Sequence, residues 1–299
     1  MKILCFIAVF YCFGLKGQNN FAVQFPNSNS GVNVGNSPLF DIYDASSLSK
    51  TFLFWAKETD ASQFRTNIMM KSTCNGSFCN DYHFFLTGSS DQGIVLGIGD
   101  ANESDCNHNI EPLIIDQKWH FYAISLEGLT ADSGVKTVYY DGQIINQCTF
   151  NDNAPVNTDD LYFGYYSGSL PLEINSIDFM DDISIWNDVL TQSEIQNYMI
   201  CSPMGDEDDI VGFWNFEEQS GMALDQSIYG NDGALFSGAI RTTDTPMYNC
   251  TLGLNQTSLS KKLLKIIDLM GRETNFKPNT TLIYVYDDGS TDKVFSVRE

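Results

Sequence analysis

Residues 118–126 read KWHFYAISL, and the placing of their side chains decides the fold. Two-residue alternation puts Trp119, Phe121 and Ala123 on one side of an extended chain and His120, Tyr122 and Ile124 on the other. Both sides are apolar enough to be covered, as in a strand inside a sheet. Neighbouring stretches carry the same signature: TFLFWAK (51–57), YHFFLTG (82–88), GIVLGIG (93–99), KTVYYDGQII (136–145) and LYFGYY (161–166). They are rich in β-branched and aromatic residues, with turn residues about every ten positions, which predicts an antiparallel sandwich. Asp141-Gly142 inside KTVYYDGQII tolerates positive φ and suits a two-residue hairpin turn.

Residues 180–199, MDDISIWNDVLTQSEIQNYM, combine a strand with the clearest helix signal in the chain. Unbroken alternation sets Asp181 with Ile183 and Ile185, and Asp182 with Ser184 and Trp186. A carboxylate on an apolar face must be paired, hydrogen-bonded or metal-bound, because burying it bare is costly. Thr191 and Glu194 have capping-box spacing, and Leu190 with Ile195 fits a hydrophobic staple. Ile195, Tyr198 and Met199 then share one helical face. This helix is expected to be structural and to close an end of the sandwich.

KWHFYAISL, VYYDGQII, LYFGYY and IDFMDDISIWNDVLTQSEIQNYM occur in the order and spacing of the laminin-G-like, pentraxin-like (concanavalin-A-like) jelly roll, which this chain resembles over about residues 21–200. The resemblance implies an all-β fold, a two-sheet antiparallel jelly-roll sandwich over residues 19–200. It also implies extracellular recognition of glycans, often with bound calcium. In that family the first acid of the MDD motif often joins backbone carbonyls at a structural calcium site. Asp181, with Asp182 as the fallback, is therefore the expected metal ligand. The loop GDANESDCN (99–107) gathers Asp100, Asn102, Glu103 and Asp105 where related domains place ligand-facing metals, so Asp100 and Asp105 are further candidates. In a chain this acidic, an ordinary solvated loop is the favoured account. DIVGFWNFEEQSGMALDQSIYGNDGALFSGA (209–239) resembles a segment that accompanies many such domains. Its Asp225, Ser227, Gly230, Asn231 and Gly233 suit either a tight turn or a calcium loop.

The N-terminus, MKILCFIAVFYCFGLKGQNN, has the charged start, apolar run and small-residue exit of a secretory signal, assigned to residues 1–18. It is shorter than the roughly 20 apolar residues of a membrane span, and no later stretch could span a bilayer. Export would leave Cys74, Cys79, Cys106, Cys148, Cys201 and Cys250, an even set suited to disulfides in an oxidising compartment. About 15 pairings are open. Cys74 with Cys79 across a tight loop, and Cys201 with Cys250 around an extension at 201–250, are plausible ones. Zinc is disfavoured because CxxC pairs are missing and the three histidines are scattered. The formal net charge is −22, and loss of Lys2 and Lys16 with the signal makes it more negative still. Such a surface repels nucleic acid and anionic lipid and favours solubility and divalent cations.

Catalysis on this fold would require paired carboxylates about 5–5.5 Å apart for retaining hydrolysis, usually on one strand as ExDxxE. The nearest approach is ESDCNH, where Glu103 and Asp105 are present but His108 replaces the second glutamate. GxSxG and HExxH motifs are missing, and His83, His108 and His120 have no evident nucleophile partner. The expected function is non-enzymatic binding or adhesion to a glycan or cell-surface protein, with calcium as the expected cofactor. The alternative is a carbohydrate-active hydrolase.

Residues 251–260 read as a polar linker. The tail 261–299 holds strand candidates LLKIIDLMG, TLIYVYDDG and KVFSVRE, with Asp288-Gly289 in a turn, and predicts a small C-terminal β-domain. Lys265–Glu273, Tyr284–Gly289 and Lys293–Val297 resemble the C-terminal sorting domain of bacterial type IX secretion, although the usual YPNP opening is missing. That resemblance implies the type IX machinery as a partner and a secreted or cell-surface location.

Overall fold

The computed structural model describes residues 21–42, 48–59, 65–71, 82–87, 93–98, 116–130, 133–150, 157–167, 175–248, 250, 263–268, 270–274, 280–286 and 291–295. The chain divides into two compact units, Met1–Asn249 and Cys250–Glu299.

In the first unit the strands are β1 (Ala22–Gln24), β2 (Gly31–Gly35), β3 (Ser49–Lys57), β4 (Arg65–Lys71), β5 (Tyr82–Thr87) and β6 (Gly93–Ile98). There follow β7 (His120–Glu127), β8 (Gly134–Tyr140), β9 (Gln143–Phe150), β10 (Leu161–Phe163), β11 (Asn175–Ser176) and β12 (Phe179–Trp186). Helix α1 (Gln192–Ile200) precedes β13 (Ile210–Trp214), β14 (Ala234–Phe236) and β15 (Ile240–Thr242). One sheet runs β15-β1-β12-β3-β7-β8-β9, with β13 also on β12; the other runs β14-β2-β10-β4-β5-β6, with β11 on β4. All these pairings are antiparallel except β11 with β4. Their inward side chains meet in one core, in which Phe52, Phe54, Tyr122, Ile124 and Ile183 of the first sheet contact the cluster formed with Val32, Ile68, Met69, Leu161 and Phe163 of the second. This is the two-sheet antiparallel jelly-roll sandwich.

Strand β7 lies between β3 and β8 and is covered on both faces. Tyr122 and Ile124 enter the sandwich core, while Phe121 and Ala123 join a second cluster on the outer face with Leu53, Trp55, Tyr139, Trp186 and Phe213. Helix α1 covers that outer face rather than closing an end of the sandwich. Its Ile195 is fully buried there, Tyr198 and Met199 pack beside it, and the Trp186 and Tyr198 rings lie 4.9 Å apart. The capping box forms, with the Thr191 hydroxyl accepting from the Glu194 amide while the Glu194 carboxylate accepts from the Thr191 amide at 2.7 Å. Leu190 and Ile195 occupy the same cluster, as a staple requires.

The segment after α1 enters both sheets: β13 pairs with β12, β14 with β2 and β15 with β1. At Gly205 the chain comes so close to the Gln226 carbonyl that an added Cβ would lie 2.1 Å from its oxygen, and its φ of +91° is in any case a glycine conformation. Cys148, Cys201 and Cys250 are disulfide-bonded. Cys74, Cys79 and Cys106 lie outside the described residues, as does the proposed signal segment. No helix among the described residues is long and apolar enough to cross a membrane.

The second unit contains a three-stranded antiparallel sheet in which β17 (Thr281–Tyr286) lies between β16 (Leu263–Ile267) and β18 (Thr291–Phe295). After β16 the Asp268 carboxylate accepts from the Met270 and Arg272 amides and from the Arg272 guanidinium. Those contacts hold its pKa below the ordinary value. Asp288-Gly289 lies outside the described residues.

Candidate ligand-binding site

The outer face of the first sheet is where polar and aromatic groups converge. Trp55 comes from β3, Trp119 from the position just before β7, His120 from its first residue, Asp141 from the β8–β9 turn, and Met199 and Ile200 from the end of α1. With Met247 they line an open recess of about 360 Å³. Among these, Met247 is 91% exposed and Ile200 45% exposed, so the recess opens to solvent along an apolar lip.

The hairpin that delivers Asp141 is the one its sequence requires. Asp141 and Gly142 have φ of 47° and 71°, the left-handed pair of a tight two-residue turn. The Asp141 amide donates to the Phe121 carbonyl at 2.8 Å, and Asp141 Oδ1 accepts the Phe121 amide at 3.0 Å. Gln192 and Gln196 of α1 each donate to the Gly142 carbonyl at 2.9 Å. Helix, turn and β7 are thereby fixed to one another beside the recess.

His120 is held between two carboxylates, Nδ1 at 2.9 Å from Asp141 Oδ2 and Nε2 at 3.0 Å from Asp116 Oδ1. Its ring stacks on Tyr140 at 4.7 Å. Burial works against the charged imidazole, but the hydrogen bonds to Asp141 and Asp116 and their charges outweigh it and raise the His120 pKa. For Asp116, burial is likewise opposed by hydrogen bonds from Lys118 and His120, which bring its pKa down to about 2. Both imidazole nitrogens are engaged by acids, so His120 offers no free nitrogen with which to act as a base. Tyr140 is pushed up by burial and by the neighbouring acids.

The aromatic wall has its own order. Trp55 packs against Phe121 and Tyr248, with ring centroids 5.3 and 5.7 Å away, and its buried indole N–H has no acceptor among the described residues. Trp119 donates its indole N–H to Asp244 at 2.9 Å. Lys57 pairs with Asp244 and places its ammonium 4.4 Å from the Phe179 ring centre and 5.7 Å from that of Trp119. Trp119 thus borders the recess beside charged groups, while Trp55 contributes to its lining from a largely buried position.

Asp181 and Asp182 are buried, at 0% and 3% exposure, but not on the faces that alternation assigns them. Asp181 pairs with Trp55 and Ser184 with Leu53, so Asp182 and Ile183 together stand across from Phe54 in a β-bulge. Asp182 carries the irregularity at φ 45°. Directly opposed residues share a face, which puts Asp181 with Trp55 and Ser184 on the outer face, while Ile183 and Ile185 remain in the core. The expected grouping of Asp181 with Ile183 and Ile185 is thus corrected by the one extra residue. Asp181 Oδ1 accepts the Asp182 amide at 2.9 Å, and the Ser202 hydroxyl donates to Asp182 Oδ2. Among the described residues no group of three or more His, Cys, Asp or Glu side chains is arranged to hold a metal. Asp100 and Asp105, with Glu103 and His108, lie outside the described residues.

The Asp225 loop follows turn chemistry. Asp225 Oδ1 accepts the Phe213 and Ser227 amides, each at 2.9 Å, and Oδ2 accepts the Ser227 hydroxyl and both nitrogens of Asn231. These donors saturate the carboxylate from within the chain.

The convergence of Trp55, Trp119, His120, Asp141 and Met247 was not foreseen as a site. Each reads as a strand or turn residue in sequence, and the only local hint is polar His120 within an otherwise apolar strand.

A sequence model of the concanavalin A-like lectin/glucanases superfamily matches residues 26–196. Comparison with curated proteins returned no match. Among solved structures, a Bacteroides ovatus protein named for carbohydrate binding aligns with a TM-score of 0.56 at 14% identity, over 77% of this chain and 62% of that one. This chain therefore spans less than two thirds of that protein's length, and the likeness shows the fold alone. A heptameric SAP-like pentraxin from Limulus polyphemus aligns with a TM-score of 0.49 at 13% identity, over 77% of this chain and 96% of that one.

Proposed function

The chain belongs to the concanavalin A-like lectin/glucanases superfamily, and from that premise we propose that it is a non-enzymatic, secreted or cell-surface protein that binds glycans, free or carried on surface proteins. The observation that carries this reading is the recess on the outer sheet face, where Trp55 and Trp119 stand beside the His120–Asp141 pair. Its volume of about 360 Å³ falls in the range of small-molecule sites. The Trp119 ring can offer an apolar face to the C–H side of a sugar ring, while the Asp141 carboxylate can accept from its hydroxyls. The carbohydrate binding for which the Bacteroides ovatus protein is named accords with this reading.

Calcium belongs to the same proposal, with Asp181 and Asp182 as the residues that would hold it. The donor chemistry fits: two buried carboxylates on consecutive residues supply the oxygen ligands a hard cation takes, with backbone carbonyls and water completing six to eight. Bound calcium would supply positive charge that fixes the bulge and the loops beside it. For export, we propose that the three-stranded C-terminal unit acts as the type IX sorting signal after the N-terminal leader has been removed.

A glycan array run with the purified chain, in calcium and in chelator, tests the binding reading. Retention of a defined glycan class supports it; cleavage of a glycan by the wild-type chain refutes the non-enzymatic assignment. Thermal unfolding in millimolar calcium tests the metal, since a ligand of the native state raises the melting temperature by mass action. No rise, or a rise kept by Asp181→Asn with Asp182→Asn, removes it. Deleting residues 251–299 should retain the protein in the periplasm if the tail is the export signal.

A further inference from the structure

Away from the recess, the sandwich buries a lysine beside both an amide and an acid. Lys71 ends β4, and its side chain is fully buried, as is nearly all of Asp41, whose Oδ1 lies 2.5 Å from Lys71 Nζ. The same ammonium is 3.0 Å from Asn157 Oδ1 and 3.2 Å from the Asn157 carbonyl. Asn157 is clamped in return: its Nδ2 donates to the Lys71 carbonyl at 3.4 Å, and its Oδ1 accepts the Asp159 amide at 2.9 Å. Three chain segments, far apart in sequence, thus hold an amine against an amide side chain with a carboxylate at hand.

We propose that Lys71 and Asn157 are an intramolecular isopeptide site, joined covalently as the folded chain matures. Asp41 takes a proton from the Lys71 ammonium, leaving an amine that attacks Asn157 Cγ. A new Nζ–Cγ bond forms while negative charge gathers on Oδ1, which already faces the Asp159 amide, a donor placed for the developing oxyanion. Asp41 relays a second proton from Nζ to Nδ2, the Cγ–Nδ2 bond breaks, and ammonia departs. Ammonia carries away the proton left on Asp41, which returns as a carboxylate. Atoms and charge balance without an oxidant, a nucleotide or any added reactant: an ammonium and a primary amide become a secondary amide and an ammonium ion. Fixed positions make the reaction effectively unimolecular, and burial weakens competition from water. The product would staple the end of β4 to the segment leading into β10.

Intact mass of the purified full chain, measured after disulfide reduction, decides the matter. The expected wild-type mass is one ammonia lower than the same chain requires without the bond, and fragment spectra should join the Lys71 and Asn157 peptides. Lys71→Arg keeps a cation beside Asp41 but has no amine to attack, so it should show the full mass; Asp41→Asn should do the same. A wild-type chain that keeps its full mass after prolonged incubation at neutral pH overturns the proposal, whether or not either variant folds. So does an ammonia loss mapped elsewhere, for instance to Lys50 and its hydrogen-bond partner Asn187.

Discussion

Asp181 stands directly across from Trp55 in the β3–β12 ladder, whereas its neighbour Asp182 shares the position opposite Phe54 with Ile183. The bulge is compact because an aspartate tolerates the left-handed backbone at φ 45° better than a β-branched residue would. It also resets the strand: if these residues alternated regularly with no bulge, either Met180 or Ile183 would leave the core.

Asp182→Gly should therefore preserve the bulge, and Asp182→Val should strain it. The expected cost of the valine is about 1–3 kcal/mol from backbone strain alone, with further loss from the Ser202 hydrogen bond. Urea denaturation of the two variants checks this. Equal stability would show that the backbone at Asp182 is not what holds the register.

Helix α1 depends on its first turn. Thr191→Ala removes the hydroxyl that accepts the Glu194 amide and should cost about 1 kcal/mol. The residue is exposed, so packing hardly changes. The loss should appear in equilibrium denaturation, and Thr191→Ser should restore most of it.

His120 makes stability depend on pH in a stated direction. Its pKa is raised in the folded chain, so the folded state binds the proton more tightly than the unfolded chain does. That contribution is fully present below the unfolded value of about 6.5 and fades as pH rises through the folded value. Unfolding free energies of wild type and His120→Gln should differ more at about pH 5.5 than at about pH 8.5. A gap that widens towards alkaline pH would contradict the double-carboxylate clamp. Asp116, with its pKa lowered to about 2, works in the opposite sense: its contribution is present above the ordinary aspartate range and lost as pH falls towards 2.

If the recess holds sugar, Trp119→Ala should weaken glycan retention by about tenfold, the equivalent of roughly 1.4 kcal/mol. The chain should remain folded, because Trp119 lies at the margin of the outer cluster rather than in the sandwich core. Titration against the glycan class found on the array gives the measurement. Unchanged affinity would move the site off this face.

Local patterns in the chain were enough for much of the scaffold. The two-sided apolar alternation of KWHFYAISL became a central strand with both faces covered. Asp141-Gly142 became a tight hairpin turn, and Thr191 with Glu194 became a capping box. Each rests on interactions between residues only a few positions apart, so sequence spacing carries the geometry. The face occupied by Asp181 was not legible, because alternation assumes an unbroken period and a single bulge residue inverts it. Nor was the recess, which draws on positions 55, 119, 141, 199 and 247, or the meeting of Asp41, Lys71 and Asn157. The sequence by itself determined which segments extend, turn and coil. Only the tertiary structure decided which distant side chains share a surface or a buried pocket, because sheet order, strand register and the packing of one layer on another are long-range outcomes that no local period encodes.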